Sequence, residues 1–279
     1  GDSPHLSTEF YLPFSVRQRW FVAPNAAFEI LNLPPTLDED DPDGLRIRTW
    51  RTGLGAGRAF GNAAEMRVGF ELEEGSTRPR NSGGDVSSTD FHTRQYFLRY
   101  QLDGLNDLAF PRSGGGLLFE WRRYEERSLG YASADTMEAD WRQVRSWGRN
   151  RLAVWLSAGT TWDDQYLEER NQFRLGGFLS LSGLPRDTLR GPNYGIARAI
   201  YFRQVGRGGE GMFDMPMYVG TSLEAGNVWG RRSDMDLSSL RTNASLFIGL
   251  DSLLGPVYLS FGYDSGGNTA VFLSLGRGF

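Results

Sequence analysis

The 279-residue sequence predicts an all-β fold, a transmembrane antiparallel β-barrel, on four observations. Apolar and polar residues alternate with period two over most of the chain, as they do where a strand sends successive side chains to opposite faces of a sheet. The alternating runs are about ten residues or longer, which matches the ~9–11 tilted residues that cross a bilayer and exceeds the ~5–6 of a usual soluble strand. Connections alternate between short turns (Gly61 to Asn62, Gly148 to Asn150, Ser252 to Pro256) and long polar segments (Asn32 to Gly44, Gly75 to Ser88, Gly230 to Leu240). Trp147, Trp162 and Trp229 gather at strand ends, where a membrane interface holds aromatic rings.

In chain order, strands are expected near 6–14, 18–31 and 45–60. The next, near 63–74, puts Met66, Val68, Phe70 and Leu72 on one face and Glu65, Arg67, Gly69, Glu71 and Glu73 on the other. The strand near 92–103 sets Tyr96, Leu98, Tyr100 and Leu102 against Gln95, Arg99, Gln101 and Asp103. Others follow near 115–127, 136–147, 150–162 and 196–205. Near 217–229, Val219, Leu223, Ala225 and Trp229 oppose Gly220, Ser222, Glu224 and Gly226. After a strand near 242–251, the one near 256–264 sets Val257, Leu259, Phe261 and Tyr263 against Tyr258, Ser260, Gly262 and Asp264. The last, near 269–279, aligns Val271, Leu273 and Leu275 with the terminal Phe279, interrupted by Arg277.

A sheet in hydrocarbon must close, because an open edge leaves backbone groups unpaired there. Closure turns apolar side chains outward to lipid and sends charged ones such as Glu71, Arg99 and Glu224 toward a wet lumen, which accounts for a hydrophilic average composition. About thirteen strands are read, whereas single-chain bacterial barrels have an even number. A miscounted strand or an incomplete chain would explain this, and the start, already strand-like at HLSTEFYLPF, favours the second. If the last residue lies on the periplasmic side, long connections fall outside the cell and short ones inside. The exceptions are GLNDLAFPRSG and the Gly-rich segment after Val205, and the longest connection runs from Asp163 to Gly195.

Composition excludes other classes. No run approaches the ~18 apolar residues of a spanning helix, and the start carries no signal-peptide pattern. There is no cysteine, so no disulfide or thiolate metal site. A net charge of −4 with both signs interspersed carries no nucleic-acid footprint, and every basic residue is Arg, which points to genome composition.

FRLGG at 173–177, LSG at 181–183 and the five strands that follow resemble the sixth extracellular loop and its sequel in the bacterial outer-membrane assembly and secretion superfamily. This is the BamA/TamA superfamily of surface antigens and two-partner transporters. LAFPRSGGGLLFEW resembles its FPT-x-G periplasmic turn, which accounts for one exception above. LGGFLSLSG with a following LRG, together with SLEAGNVW and GPVYLSFGYDSGG, is similar to the barrel attached to bacterial patatin-like phospholipases. The resemblance implies sixteen strands, five after the loop and eleven before it, so roughly three amino-terminal strands are expected to be absent. It implies a Gram-negative outer-membrane location and a terminal Phe279 read as an assembly signal by the barrel assembly machinery during insertion. It also implies contact with outer-membrane lipids and lipopolysaccharide, and a fused amino-terminal lipase passenger; a homo-oligomer is left open.

The loop is expected to fold into the lumen through Phe173, Leu175, Gly176, Gly177, Leu181, Ser182, Gly183, Arg186, Arg190 and Gly191, with Gly176, Gly177 and Gly183 allowing tight turns. The superfamily carries VRG and an aromatic where this chain has Leu181-Ser182-Gly183-Leu184. With Ser182 in the motif arginine's place, Arg186 or Arg190 is expected to pair with Glu224, Glu120 or Asp251. A solvated surface role for each arginine is the alternative.

Other motifs lack context. DSGG, 264–267, reads as a hairpin turn without a supporting His. GRGGEG, 206–211, precedes no helix. DEDDPDG, 38–44, has Pro42 where a calcium loop needs other spacing. No G-x-S-x-G elbow occurs, so neither catalysis nor a cofactor is expected in this chain. Residues 1–279 read as one barrel domain that anchors, and translocates or presents, a lipase passenger. An assembly or secretion factor and a passive porin are the alternatives.

Overall fold

The computed structural model describes residues 3–14, 19–36, 44–80, 88–107, 109–126, 132–162, 167–206 and 215–276. Its strands are β1 (His5–Glu9), β2 (Leu12–Pro13), β3 (Trp20–Leu33), β4 (Leu45–Phe60), β5 (Ala64–Pro79), β6 (Thr89–Asp103), β7 (Gly114–Glu126), β8 (Ala132–Trp147) and β9 (Asn150–Trp162), then β10 (Phe173–Leu175), β11 (Leu189–Gly191), β12 (Asn193–Gln204), β13 (Met217–Trp229), β14 (Arg241–Ser252), β15 (Gly255–Asp264) and β16 (Thr269–Leu275). One antiparallel sheet runs β1-β3-β4-β5-β6-β7-β8-β9-β12-β13-β14-β15-β16, and β2 continues β1 along β3. The strand expected at 6–14 is therefore present in two pieces. The observed strands also reach farther than the sequence pattern on the long-loop side: β5 continues to Pro79 and β8 starts at Ala132, where alternation gives way to polar residues but the ladder persists.

The two faces carry inverted chemistry. Val68, Leu223 and Leu259 are 51%, 66% and 50% exposed on the outside, whereas Glu224 is 2% exposed on the inside. Exposed Phe70, Leu72, Leu246, Phe261 and Leu273 extend the outer apolar belt, and buried Glu73, Gln95, Asn243, Ser245 and Ser260 face inward. An amphipathic sheet in water would do the reverse. Register makes the pattern coherent, because Gly53↔Glu71, Glu71↔Gln95 and Gln95↔Tyr124 bring inward positions opposite one another across four strands.

The interior divides in two. On β4–β8 it is an ionic lattice: Arg122 reaches Glu71 at 2.7 Å, Glu120 at 2.9 Å and Gln95 at 2.6 Å, while Arg51 reaches Glu73 at 2.8 Å. The expectation of a wet lumen does not hold at the end carrying the short turns. There Phe110, Val144, Trp155, Ile200, Phe202, Tyr218, Phe247 and Tyr258 form a dry cluster. Its keystone comes from the FPR turn: Phe110 stacks on Tyr218 at 4.0 Å, and its carbonyl accepts from Arg151 at 2.5 Å.

Candidate functional site

The β9–β12 connection folds against the sheet's inward face. A short antiparallel ribbon, β10 on β11, pairs Phe173 with Gly191 and Leu175 with Leu189, and carries a tip formed by residues 176–188. Leu175, Leu181, Leu184 and Leu189 pack on Tyr194 and Ile196 of β12. Burial of these leucines explains why so glycine-rich a segment is held inside.

Backbone geometry at the tip is unusual. Gly176 and Gly177 have φ of 116° and 107°, but Leu179 and Leu181 also lie at 58° and 71°, a region that costs a bulky L residue energy. The surrounding hydrogen bonds hold them there. Leu181 N–H and Ser182 N–H donate to Glu224 Oε2 at 2.6 and 2.8 Å, and Ser182 Oγ donates to Glu224 Oε1 at 2.5 Å. Ser182 Oγ also accepts Leu179 N–H at 2.9 Å, and Gly183 N–H donates to Asn243 Oδ1 at 2.8 Å. Glu224 is held from below by Ser222 Oγ at 2.6 Å. Hydrogen bonds to a charged acceptor contribute roughly 1.5–3 kcal/mol each.

Two glycines make this approach possible through space rather than through φ. A Cβ on Gly183 would stand 2.2 Å from Asp264 N, and one on Gly262 would stand 1.9 Å from Ser182 O. The expected tight-turn role thus belongs to Gly176 and Gly177, while Gly183 provides backbone-on-backbone contact with β15. Asp264 of the DSGG turn is fully buried; its carboxylate accepts Asn243 Nδ2 at 3.1 Å and Gly266 N–H at 2.9 Å.

The expected arginine pairs are corrected. Arg186 pairs with its neighbour Asp187 at 3.4 Å and is mostly exposed; Arg190 reaches Glu169 at 3.0 Å and the Pro34 carbonyl at 2.9 Å. Neither is paired with Glu224, whose oxygens are occupied by backbone N–H groups and hydroxyls. Glu120 is held in the wall lattice by Arg99 at 2.5 Å and by Arg122. Asp251 lies at the short-turn end, its N–H on the Pro216 carbonyl. Phe279 lies outside the described residues, as do positions 207–211 of GRGGEG and 38–43 of DEDDPDG.

The loop's main ionic anchor was absent from the sequence reading. Arg170 sits against Glu126, donates to Thr93 Oγ1 at 3.1 Å, lies 3.8 Å from Glu73 and covers the Phe91 ring at 3.8 Å. Asn243 was missed too. Its signal is a polar residue at an inward position of an alternating strand, whereas Arg170 belongs to a polar stretch without any period.

No protein-family model and no curated protein matches this sequence. Solved structures do. BamA from Haemophilus ducreyi lacking POTRA domains 1–3 superposes with a TM-score of 0.74 at 12% identity, over 98% of this chain and 61% of that one. The chain shares its fold with that barrel. CdiB from Escherichia coli follows with 0.65 at 14% identity, covering 98% and 52%, and CdiB from Acinetobacter baumannii with 0.62 at 11%, covering 98% and 50%. The chain thus spans half to about three-fifths of those proteins. At such identities the likeness is one of fold, and within this fold the loop seated on Glu224 is built from a serine and backbone amides.

Proposed function

We propose that this chain is the membrane-embedded barrel of a Gram-negative outer-membrane protein, without catalysis of its own, that anchors and presents or translocates a fused amino-terminal patatin-like lipase domain. The observation that carries the barrel role is the seating of Ser182 on Glu224 inside a sheet whose outer face is apolar. The passenger reading rests on the likeness of LGGFLSLSG, SLEAGNVW and GPVYLSFGYDSGG to lipase-borne barrels. The aromatic plug and the seated loop oppose a passive porin, whose lumen conducts.

An assembly or secretion factor is the second reading, favoured by the fold shared with BamA and CdiB. The full-length gene sequence discriminates: a G-x-S-x-G domain supports the first reading, tandem periplasmic modules the second. For the barrel itself, deletion of Leu175 to Pro192 is expected to raise single-channel conductance several-fold in planar bilayers. Unchanged conductance would restore the porin reading.

A further inference from the structure

A cavity of about 890 Å³ lies between the loop tip, the inward faces of β9 and β12, and the two edges of the sheet, with Ser3 and Asn32 on one side and β16 on the other. Arg198 and Arg186 both line it, with Trp155, Ser180 and Tyr258. Arg198 rises from β12 with its guanidinium 5.5 Å from the Trp155 ring. Among the described residues it makes one hydrogen bond, from Nη2 to Ser157 Oγ at 2.7 Å, and its buried Nε has no hydrogen-bond partner there.

Among the described residues, the carboxylates near this arginine already accept hydrogen bonds from other donors. Asp140 takes Arg142 Nε on Oδ1 at 2.7 Å and Ser157 Oγ on Oδ2 at 2.6 Å. Glu224, directly across the ladder from Arg198, is occupied by Leu181, Ser182 and Ser222. Asp187 pairs with Arg186. A guanidinium offers five donors in a planar fork, and leaving them idle away from water is costly. The fork fits phosphate oxygens two at a time. Arg186, whose side chain is largely exposed and whose ion pair among the described residues is with Asp187 at 3.4 Å, can turn toward the same ligand.

We propose that this cavity binds a phosphate oxyanion, with Arg198 as the principal contact and Arg186 as the second. The cavity also reaches Leu273 and Leu275 of β16, whose exposed side chains belong to the outer apolar belt. A membrane lipid and a free phosphate carry the same oxyanion, and the outer-membrane setting makes the lipid headgroup the first source to test. The lipid source rests on the outer-membrane reading above.

The test is isothermal titration of the refolded full chain, in phosphate-free detergent micelles, with dihexanoyl phosphatidylglycerol and separately with inorganic phosphate. Wild type is expected to bind the lipid, Arg198→Gln to bind it at least tenfold more weakly, and Arg186→Gln several-fold more weakly. Binding of the lipid alone identifies a membrane source, whereas comparable binding of inorganic phosphate keeps the oxyanion site and assigns it to a soluble ligand. The proposal is overturned if folded wild type binds neither probe, or if Arg198→Gln and Arg186→Gln both bind as wild type does. Should Arg198→Gln fail to fold, Arg186→Gln and Arg198→Lys decide by the same criterion. Insertion into vesicles is measured on the same preparations: a chain that inserts but binds neither probe refutes this site alone, and one that does not insert refutes the membrane reading on which the lipid source rests.

Discussion

Ser182 is small, and its size matters as much as its hydroxyl. Its carbonyl lies so close to β15 that residue 262 has no room for a side chain, so Gly262→Ala is expected to lift the loop tip. Because the native chain has no cysteine, a single Ser180→Cys reports this directly. Maleimide should label it at least tenfold faster in the Gly262→Ala background, and no faster with Gly230→Ala, where a Cβ meets nothing within 4 Å. Equal labelling in both backgrounds would refute the close-approach account. At Asp236, between β13 and β14, Ser238 N–H and Ser238 Oγ donate to the carboxylate at 3.0 and 2.6 Å. These bonds favour the charged form and hold its pKa below the ordinary 3.8. A pKa depressed by folding stabilises the turn above 3.8 and loses that contribution as pH falls through the lowered value. Carbon NMR titration of the Asp236 carboxylate should therefore give a midpoint under 3.8; one above it contradicts the assignment.

Among the elements, the 104–113 turn does more than reverse the chain. Asp107 Oδ1 accepts Ala109 N–H and Phe110 N–H at 2.7 and 3.0 Å, and Tyr258 Oη donates to the Ala109 carbonyl at 2.7 Å, so Phe110 is aimed into the interior. Phe110→Ala is expected to cost about 3–5 kcal/mol, as for other large buried aromatics. Guanidinium unfolding followed by tryptophan fluorescence measures it, and a loss under about 1 kcal/mol would mean the cluster closes without its plug. The turn is legible in the sequence through the resemblance of LAFPRSGGGLLFEW to the FPT-x-G periplasmic turn, but the plug is not. A single aromatic in a loop has no period to show which way it points.

For the whole molecule, the decisive property is which face meets which medium. Leu223, 66% exposed on a strand, and Leu237, 84% exposed in the β13–β14 connection, look alike by exposure but differ in solvent if the sheet spans a bilayer. In phosphatidylcholine vesicles, Leu223→Arg should destabilise by about 2–4 kcal/mol and Leu237→Arg by about 0–1 kcal/mol. Equal costs would argue for water on both sides. The sheet's thirteen positions leave β1 and β16 running in the same direction, and among the described residues no ladder joins them.

The amino-acid order alone determined the all-β class, the strand count and the chemical difference between the two faces, because each follows from a local alternation that repeats every two residues. Tertiary structure alone decided what the long loop grips. Ser182 and Glu224 lie 42 residues apart, Arg170 and Glu126 44 apart, and Tyr258 and Ala109 149 apart, so no local pattern encodes these pairs. They arise where ladder register carries side chains from distant strands to one place, and that register also sets Arg198 opposite a Glu224 whose oxygens the loop already occupies.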